Sequence, residues 1–100
     1  MAEKRTVIDE HENGPEKVAR ILKVFGDPNR LKIVQLISSK EICQCEIIPY
    51  IGQSQPTVSR HLRLLEKNGI LISRKDGVKM LYRIANPTVL KIVELASSLI

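Results

Sequence analysis

Apolar residues recur at helical spacing through most of the chain and alternate in one short stretch, which divides it into seven elements. In NGPEKVARILKVFG, Val18, Ile21, Leu22 and Phe25 fall at i, i+3, i+4 and i+7, one stripe of an amphipathic helix opened by Pro15 and stopped at Gly26. A second helix starts at once, because Asp27 can cap it and Pro28 tolerates the first turn. Its Leu31, Ile33, Val34, Leu36 and Ile37 leave little polar face, which suits a central, largely buried helix. EICQCEIIPYIG reads as a short third helix entered from an extended Ile42. Cys43 stands at the capping position with Glu46 three residues later, the spacing of a capping box with cysteine in place of Ser or Thr. Pro49 removes a backbone donor, so this helix is expected to be short or kinked there.

GQSQPTVSRHLRLLEKNG is the clearest segment. Gly52 allows a turn, Ser54 can cap, Pro56 fits the first turn and Asn68-Gly69 ends the helix. At 100° per residue, Val58, Leu62 and Leu65 lie together while Arg60, Arg63 and Lys67 project from nearly the opposite side. His61 flanks the buried stripe and Leu64 sits off it. ILISRKDGVKMLYRI predicts two strands around a tight turn at Asp76-Gly77, with Arg74, Lys75 and Lys79 about its tip. NPTVLKIVELASSLI predicts a last helix from Pro87. Val89, Ile92, Val93, Ala96 and Ile100 line one side and Leu90 and Leu95 another edge, more apolar surface than one core needs, which points to a subunit contact.

With 43% hydrophobic and 27% charged residues in 100, the chain reads as one globular domain over 14–100 preceded by a flexible arm over 1–13. Its apolar runs fall far below the roughly 20 residues of a membrane span, and its charged start lacks a secretory segment, so no membrane partner and a cytoplasmic location are expected. The charge is unevenly placed. Residues 53–83 carry Arg60, Arg63, Lys67, Arg74, Lys75, Lys79 and Arg83 against Glu66 and Asp76, which accounts for the whole surplus of +5. A contiguous basic segment is the footprint of a polyanion-binding surface. No glycine-rich phosphate loop or nucleophile–base set is present, which argues against an enzyme.

Four helices, a hairpin and a final helix, with a short turn between helices three and four, give the α-α-α-α-β-β-α order of a winged helix-turn-helix. In such modules the second helix of the pair enters the major groove of double-stranded DNA and the hairpin wing reaches the flanking backbone. The expected DNA contacts are Ser54, Gln55, Thr57, Ser59 and Arg60 at base edges or phosphates, with Arg63, Lys67, Arg74, Lys75 and Lys79 adding charge. A protein-docking winged helix is the structural alternative.

SQPTVSRHLRLLEKNGIL, preceded by EICQCEI and followed by ISRKDGVKMLYRI, closely resembles the ArsR/SmtB family of bacterial and archaeal repressors over roughly residues 15–100. The resemblance implies a homodimer paired through the first and last helices, here by Val18, Ile21, Leu22, Leu90, Val93 and Leu95. It also implies operator DNA binding that blocks transcription until an inducer binds, with no cofactor required. In arsenic-responsive members a Cys-x-Cys pair at the third helix, with one further cysteine a turn later, binds trivalent arsenic or antimony. Cys43 and Cys45 match the first two, while Ile48 occupies the third position and cannot ligate. Four readings of the pair stand open. They are two-thiolate capture of arsenite, antimonite or another soft ion; zinc or cadmium held with Asp9, His11 or Glu12 of the arm; a redox switch through a bond between Cys43 and Cys45 or between subunits; and small buried residues with a helix cap and no ligand. The family's Asp and His metal site on the last helix is absent, since residues 87–100 hold no His and only Glu94 as an acid.

Overall fold

Among residues 14–100, which the computed structural model describes, the elements run α1 (Pro15–Phe25), α2 (Pro28–Ile37), β1 (Ile42–Cys43), α3 (Gln44–Ile51), α4 (Gln55–Lys67), β2 (Leu71–Asp76), β3 (Lys79–Ile84) and α5 (Thr88–Ser97). The expected arm over 1–13, with Asp9, His11 and Glu12, lies outside the described residues.

Local chemistry sets most boundaries as the sequence leads one to expect. The Asp27 carboxylate accepts from the backbone N–H groups of Asn29 at 2.8 Å and Arg30 at 3.1 Å, satisfying two of the donors that a helix start leaves over. Burial opposes the charge on Asp27, but these two N–H donors and the Arg30 and His61 charges hold its carboxyl below the usual range. Ser54 caps α4 in the same way by accepting from Thr57 N at 3.3 Å. Between the two, α3 runs through Pro49 to Ile51 and stops at Gly52, whose φ of 76° only glycine adopts without strain. Pro49 therefore leaves a two-turn helix rather than a break at that residue.

The core joins both helix pairs to the sheet. Ile33, Val34 and Ile37 of α2, Ile47 of α3, and Val58, Leu62 and Leu65 of α4 are essentially sealed from solvent, closed over by Ile70, Leu71 and Tyr82. Each such side chain contributes about 1.5–3 kcal/mol on burial, so α2 and α4 are the members the fold cannot lose.

Three expectations need correction. The sheet has three strands rather than two, in the order β1-β3-β2, because extended Ile42 and Cys43 pair antiparallel with Tyr82 and Leu81. The hairpin turn lies at Gly77-Val78, since Asp76 pairs with Lys79. A turn at Asp76-Gly77 of the type that suits strand twist would ask Asp76 for positive φ. Moving it by one residue places Gly77, with φ of 65°, at the first central position and leaves no other residue of the hairpin with positive φ. The capping box is incomplete: Cys43 Sγ accepts from Cys45 N at 3.1 Å instead of from Glu46 N, and Glu46 is exposed.

The outer helices carry unpaired apolar surface. In α1 the buried residues are Val24 and Phe25, whereas Ile21 and Leu22 of the expected stripe are 37% and 54% exposed. On α5 only Val89 is buried, Leu90 and Val93 are half-buried, and Leu95 is 68% exposed. The helix ends at Ser97, so Ile100 lies beyond the face assigned to it.

Candidate nucleic-acid interface and cysteine site

Two turns of α3, a three-residue turn and α4 form the helix-turn-helix, and the β2–β3 hairpin extends beside it as a wing. Complete burial of Val58, Leu62 and Leu65 fixes the roll of α4, which turns Gln55, Arg60, Arg63 and Lys67 to solvent. Thr57 and Ser59 are half-buried along the edge of that face.

The ten expected DNA-contact residues do not form one uniform surface. Gln55, Arg60 and Arg63 share the exposed side of α4, and Lys75 and Lys79 are exposed on the wing. Lys67 stands twelve residues from Gln55, about 18 Å along the helix, and lines a cleft with Arg20, Lys23 and Arg30 rather than joining Gln55 at the start of the helix. Ser54 Oγ bonds Thr57 Oγ1 at 2.9 Å in addition to its capping role. Ser59 Oγ accepts from the Gln44 side-chain amide at 2.8 Å. Arg74 is held by Glu41 through two 2.8 Å hydrogen bonds, from Nε and Nη2 to the two carboxylate oxygens. This bidentate bond, with the Arg74 and Arg83 charges, holds the Glu41 carboxyl below the usual range. Glu41 thus offsets part of the positive charge of the basic segment from outside it, which the charge count along the sequence does not reveal.

Behind the exposed face, Arg30 links α4 to the first helix. Its Nε donates to the Val24 carbonyl at 2.6 Å, and its Nη1 lies 3.1 Å from His61 Nδ1. Since a guanidinium only donates, Nδ1 accepts and the ring proton of neutral His61 sits on Nε2. Burial holds the imidazole below its usual value, Asp27 works against this, and the Arg30 and Arg60 charges reinforce it.

The cysteines lie at the junction of β1 and α3. The structure joins them as a disulfide with Cα atoms 5.1 Å apart; Cys43 is buried and Cys45 exposed. Both line an open cavity of about 450 Å³ together with Gln44, Ile48, Gln55, Val78, Lys79 and Met80. Sequence spacing brings the two cysteines together, but it gives no sign of the wing residues or of Gln55 at the same cavity. Among the described residues no three His, Cys, Asp or Glu side chains come together, and no helix is long and apolar enough to cross a membrane.

Known proteins agree with this architecture. The family described as bacterial regulatory protein, arsR family, matches residues 27–73, from the cap of α2 into the wing. An HTH-type transcriptional regulator of Methanocaldococcus jannaschii is 42% identical over 85 residues, 84% of this chain and 96% of that protein. The arsenical resistance operon repressor of Staphylococcus xylosus is 39% identical over 69 residues, 69% of this chain and 66% of that protein's length. Among solved structures, the homodimeric winged helix-turn-helix DNA-binding domain of a Mycobacterium bovis protein superposes with a TM-score of 0.79 at 26% identity. It covers 96% of this chain and 89% of that one. With this fold, this helix-turn-helix and these relatives, the chain belongs to the arsR family of bacterial regulatory proteins, winged helix-turn-helix DNA-binding transcription regulators and not enzymes.

Proposed function

We propose that the chain is a homodimeric repressor of operator DNA, released when a thiol-reactive inducer, a soft metal or metalloid ion or an oxidant, engages Cys43 and Cys45. The observation that carries this reading is the hydrogen bond from Gln44, the residue between the two cysteines, to Ser59 of α4. Chemistry at the pair has a direct mechanical path to the helix that faces DNA.

In this reading Gln55, Thr57 and Arg60 meet base edges or phosphates, and Arg63, Lys75 and Lys79 neutralise backbone charge. Ser54 and Ser59 position α4, Arg74 is available only when Glu41 lets it go, and Lys67 acts at long range. Val18, Ile21 and Leu22 of α1 with Leu90, Val93 and Leu95 of α5 supply the subunit contact, supported by the exposure of Leu22 and Leu95. Two copies of α4 then read half-sites about 34 Å apart, one helical turn of DNA. The arsenical repressor among the relatives supports a thiophilic inducer. With Ile48 at the third position, however, the third helix offers two thiolates and not three.

The test is fluorescence anisotropy on operator DNA obtained by selection from random duplexes, with arsenite, zinc, cadmium and an oxidant added in turn. Cys43→Ser and Cys45→Ser serve as controls. Release by at least one agent, lost in both variants, supports the reading. A second reading, that Cys43 is only the cap of α3, rests on its bond from Cys45 N. A DNA complex undisturbed by every agent would establish it instead.

A further inference from the structure

We propose that the cleft between α1, the start of α2 and the end of α4 seats one phosphate of the duplex backbone in each subunit, so that α1 contacts DNA as well as the partner subunit. This rests on the reading that α4 faces DNA and extends it, since Lys67 acts there only at long range and Arg20, Lys23 and Arg30 have no part in it.

Three observations lead there. First, the cleft is cationic and free of acids. Arg20 and Lys23 of α1, Arg30 of α2 and Lys67 of α4 line a space of about 280 Å³ beside Val24 and Leu64, and among the described residues no carboxylate lines it. Lys23 and Lys67 stand in the last turns of their helices, where the helix dipole favours a cation. Arg20 does not, and Arg30 stands in the first turn of α2, the unfavourable end. Second, Arg30 is held in place. Its bonds to the Val24 carbonyl at 2.6 Å and His61 Nδ1 at 3.1 Å fix a half-buried guanidinium at the cleft. Of the five N–H donors of a guanidinium these bonds use two, and the remaining three have no partner among the described residues. Third, the cleft continues the face of α4 that carries the other expected DNA contacts. Lys67 follows Arg60 by seven residues and Arg63 by four, so the three share one stripe of the helix. From Gln55 to Lys67 the helix runs about 18 Å, longer than the roughly 12 Å width of the major groove. With the start of α4 over the bases, its end comes to the strand that borders the groove, where Lys67 meets the cleft.

The ligand is a phosphodiester, whose free oxygens accept paired N–H donors from a guanidinium, while the ammonium groups of Lys23 and Lys67 add charge. Such a seat reads no base, so it adds affinity on any sequence. Its position has a further effect. Ile21 and Leu22, between Arg20 and Lys23 on α1, belong to the proposed subunit contact, and Arg30 ties the end of α1 to α4 through Val24 and His61. Pairing of the subunits therefore sets the spacing of the two phosphate seats together with that of the two copies of α4.

The experiment uses the full chain and fluorescence anisotropy on selected operator and random duplexes over a range of salt. Arg20→Gln/Lys23→Gln should lower affinity at least about tenfold at low salt on both duplexes and make the slope of log affinity against log salt shallower by about one per subunit. Lys17→Gln/Lys32→Gln removes the same charge from exposed positions outside the cleft and should leave the slope as in wild type. Ethylation interference should reveal, in each half-site, a phosphate whose modification impairs wild type and no longer matters in the cleft variant. Lys67→Gln, away from the subunit contact, should lose sensitivity at the same phosphate, which separates the seat from a dimer weakened by changes in α1. An unchanged slope and ethylation pattern in both cleft variants would overturn the seat. Equal losses in Lys17→Gln/Lys32→Gln would also overturn it, by assigning the effect to overall charge. Pyrophosphate bound by wild type and not by the cleft variants, with DNA binding unaltered in them, would make the cleft a free-anion site instead. If Arg60→Ala also left operator binding intact, the reading of α4 as the DNA-facing helix would fall too, whereas a loss there with silent cleft variants removes only the seat.

Discussion

Gln44 donates its side-chain amide to Ser59 Oγ over 2.8 Å, joining the residue that separates the two cysteines to the helix that carries Arg60 and Arg63. Replacing Gln44 with Leu removes the donor and keeps a side chain of similar length. A hydrogen bond of this kind is worth about 0.5–1.5 kcal/mol net. Coupling between inducer and DNA should therefore shrink by roughly fivefold, read as the ratio of DNA affinities with and without inducer, while inducer affinity itself holds. An unchanged ratio would mean that coupling runs elsewhere.

Arg60 and Lys75 should separate sequence reading from charge. Arg60→Ala is expected to cost about 1–3 kcal/mol per half-site on operator DNA and to flatten the preference over random DNA. Lys75→Ala should weaken both alike. With three or four phosphate contacts per subunit, the dimer has Z of about 7, and affinity should fall roughly four decades between 50 and 200 mM salt. Anisotropy titrations of both variants on both duplexes check this, and equal losses everywhere would refute the division of roles.

Glu41 should restrain DNA binding. Glu41→Gln weakens the grip on Arg74 and frees a guanidinium on the wing, so affinity for random duplex should rise at low salt. The slope of log affinity against log salt should steepen by about one per subunit. Arg74 is exposed and Glu41 only half-buried, so thermal stability should hardly move. An unaltered salt slope would show that Arg74 does not meet phosphate even when free.

His61 makes stability depend on pH in a stated direction. Its folded value lies below its unfolded value of about 6.5, so the unfolded chain takes up the proton first as pH falls. Stability is therefore intact above that value and declines from about pH 6.5 downward, while protonation removes the acceptor facing Arg30. Asp27 adds a separate loss only in the acid range, as pH falls from about 4 through its lowered folded value. Urea midpoints at pH 7.5 and 5.5 should differ for wild type and converge for His61→Gln. An equal difference in both proteins would assign the effect to other groups.

Leu22 and Leu95 test the subunit contact. Leu22→Glu or Leu95→Glu places a charge on surface that is 54% or 68% exposed in the single chain, so the monomer should still fold. Dimerisation should weaken at least tenfold by analytical ultracentrifugation, with operator affinity lost in parallel because two half-sites need two copies of α4. Dimers of undiminished strength would exclude these helices as the contact.

Much of this molecule is written locally. Asp27 before Pro28, Ser54 before Pro56 and the spacing of Val58, Leu62 and Leu65 determine where α2 and α4 start and which side of α4 is buried. A cap bonds within three residues and a helical stripe repeats within four, so neither needs a distant partner. The alternation of the wing and the charge surplus over 53–83 were legible for the same reason, and together they gave the winged helix-turn-helix. The apolar excess on α1 and α5 was legible too, although Val24 took a core place that the stripe assigned elsewhere.

The functional connections depend on pairing at long range. Extended Ile42 became a strand only because β3 offered an open edge, where it pairs with Tyr82. Glu41 reaches Arg74 across 33 residues, and Gln44 reaches Ser59 across 15. The hairpin turn moved to Gly77-Val78 because the paired strands put their one positive-φ demand on glycine. Residue order alone determined the elements and their buried faces, since these follow from short-range sterics and periodicity. Which polar and sulfur-bearing groups meet was decided by docking those faces, because the position of one strand against another is fixed by the shared core and is not encoded in either segment alone.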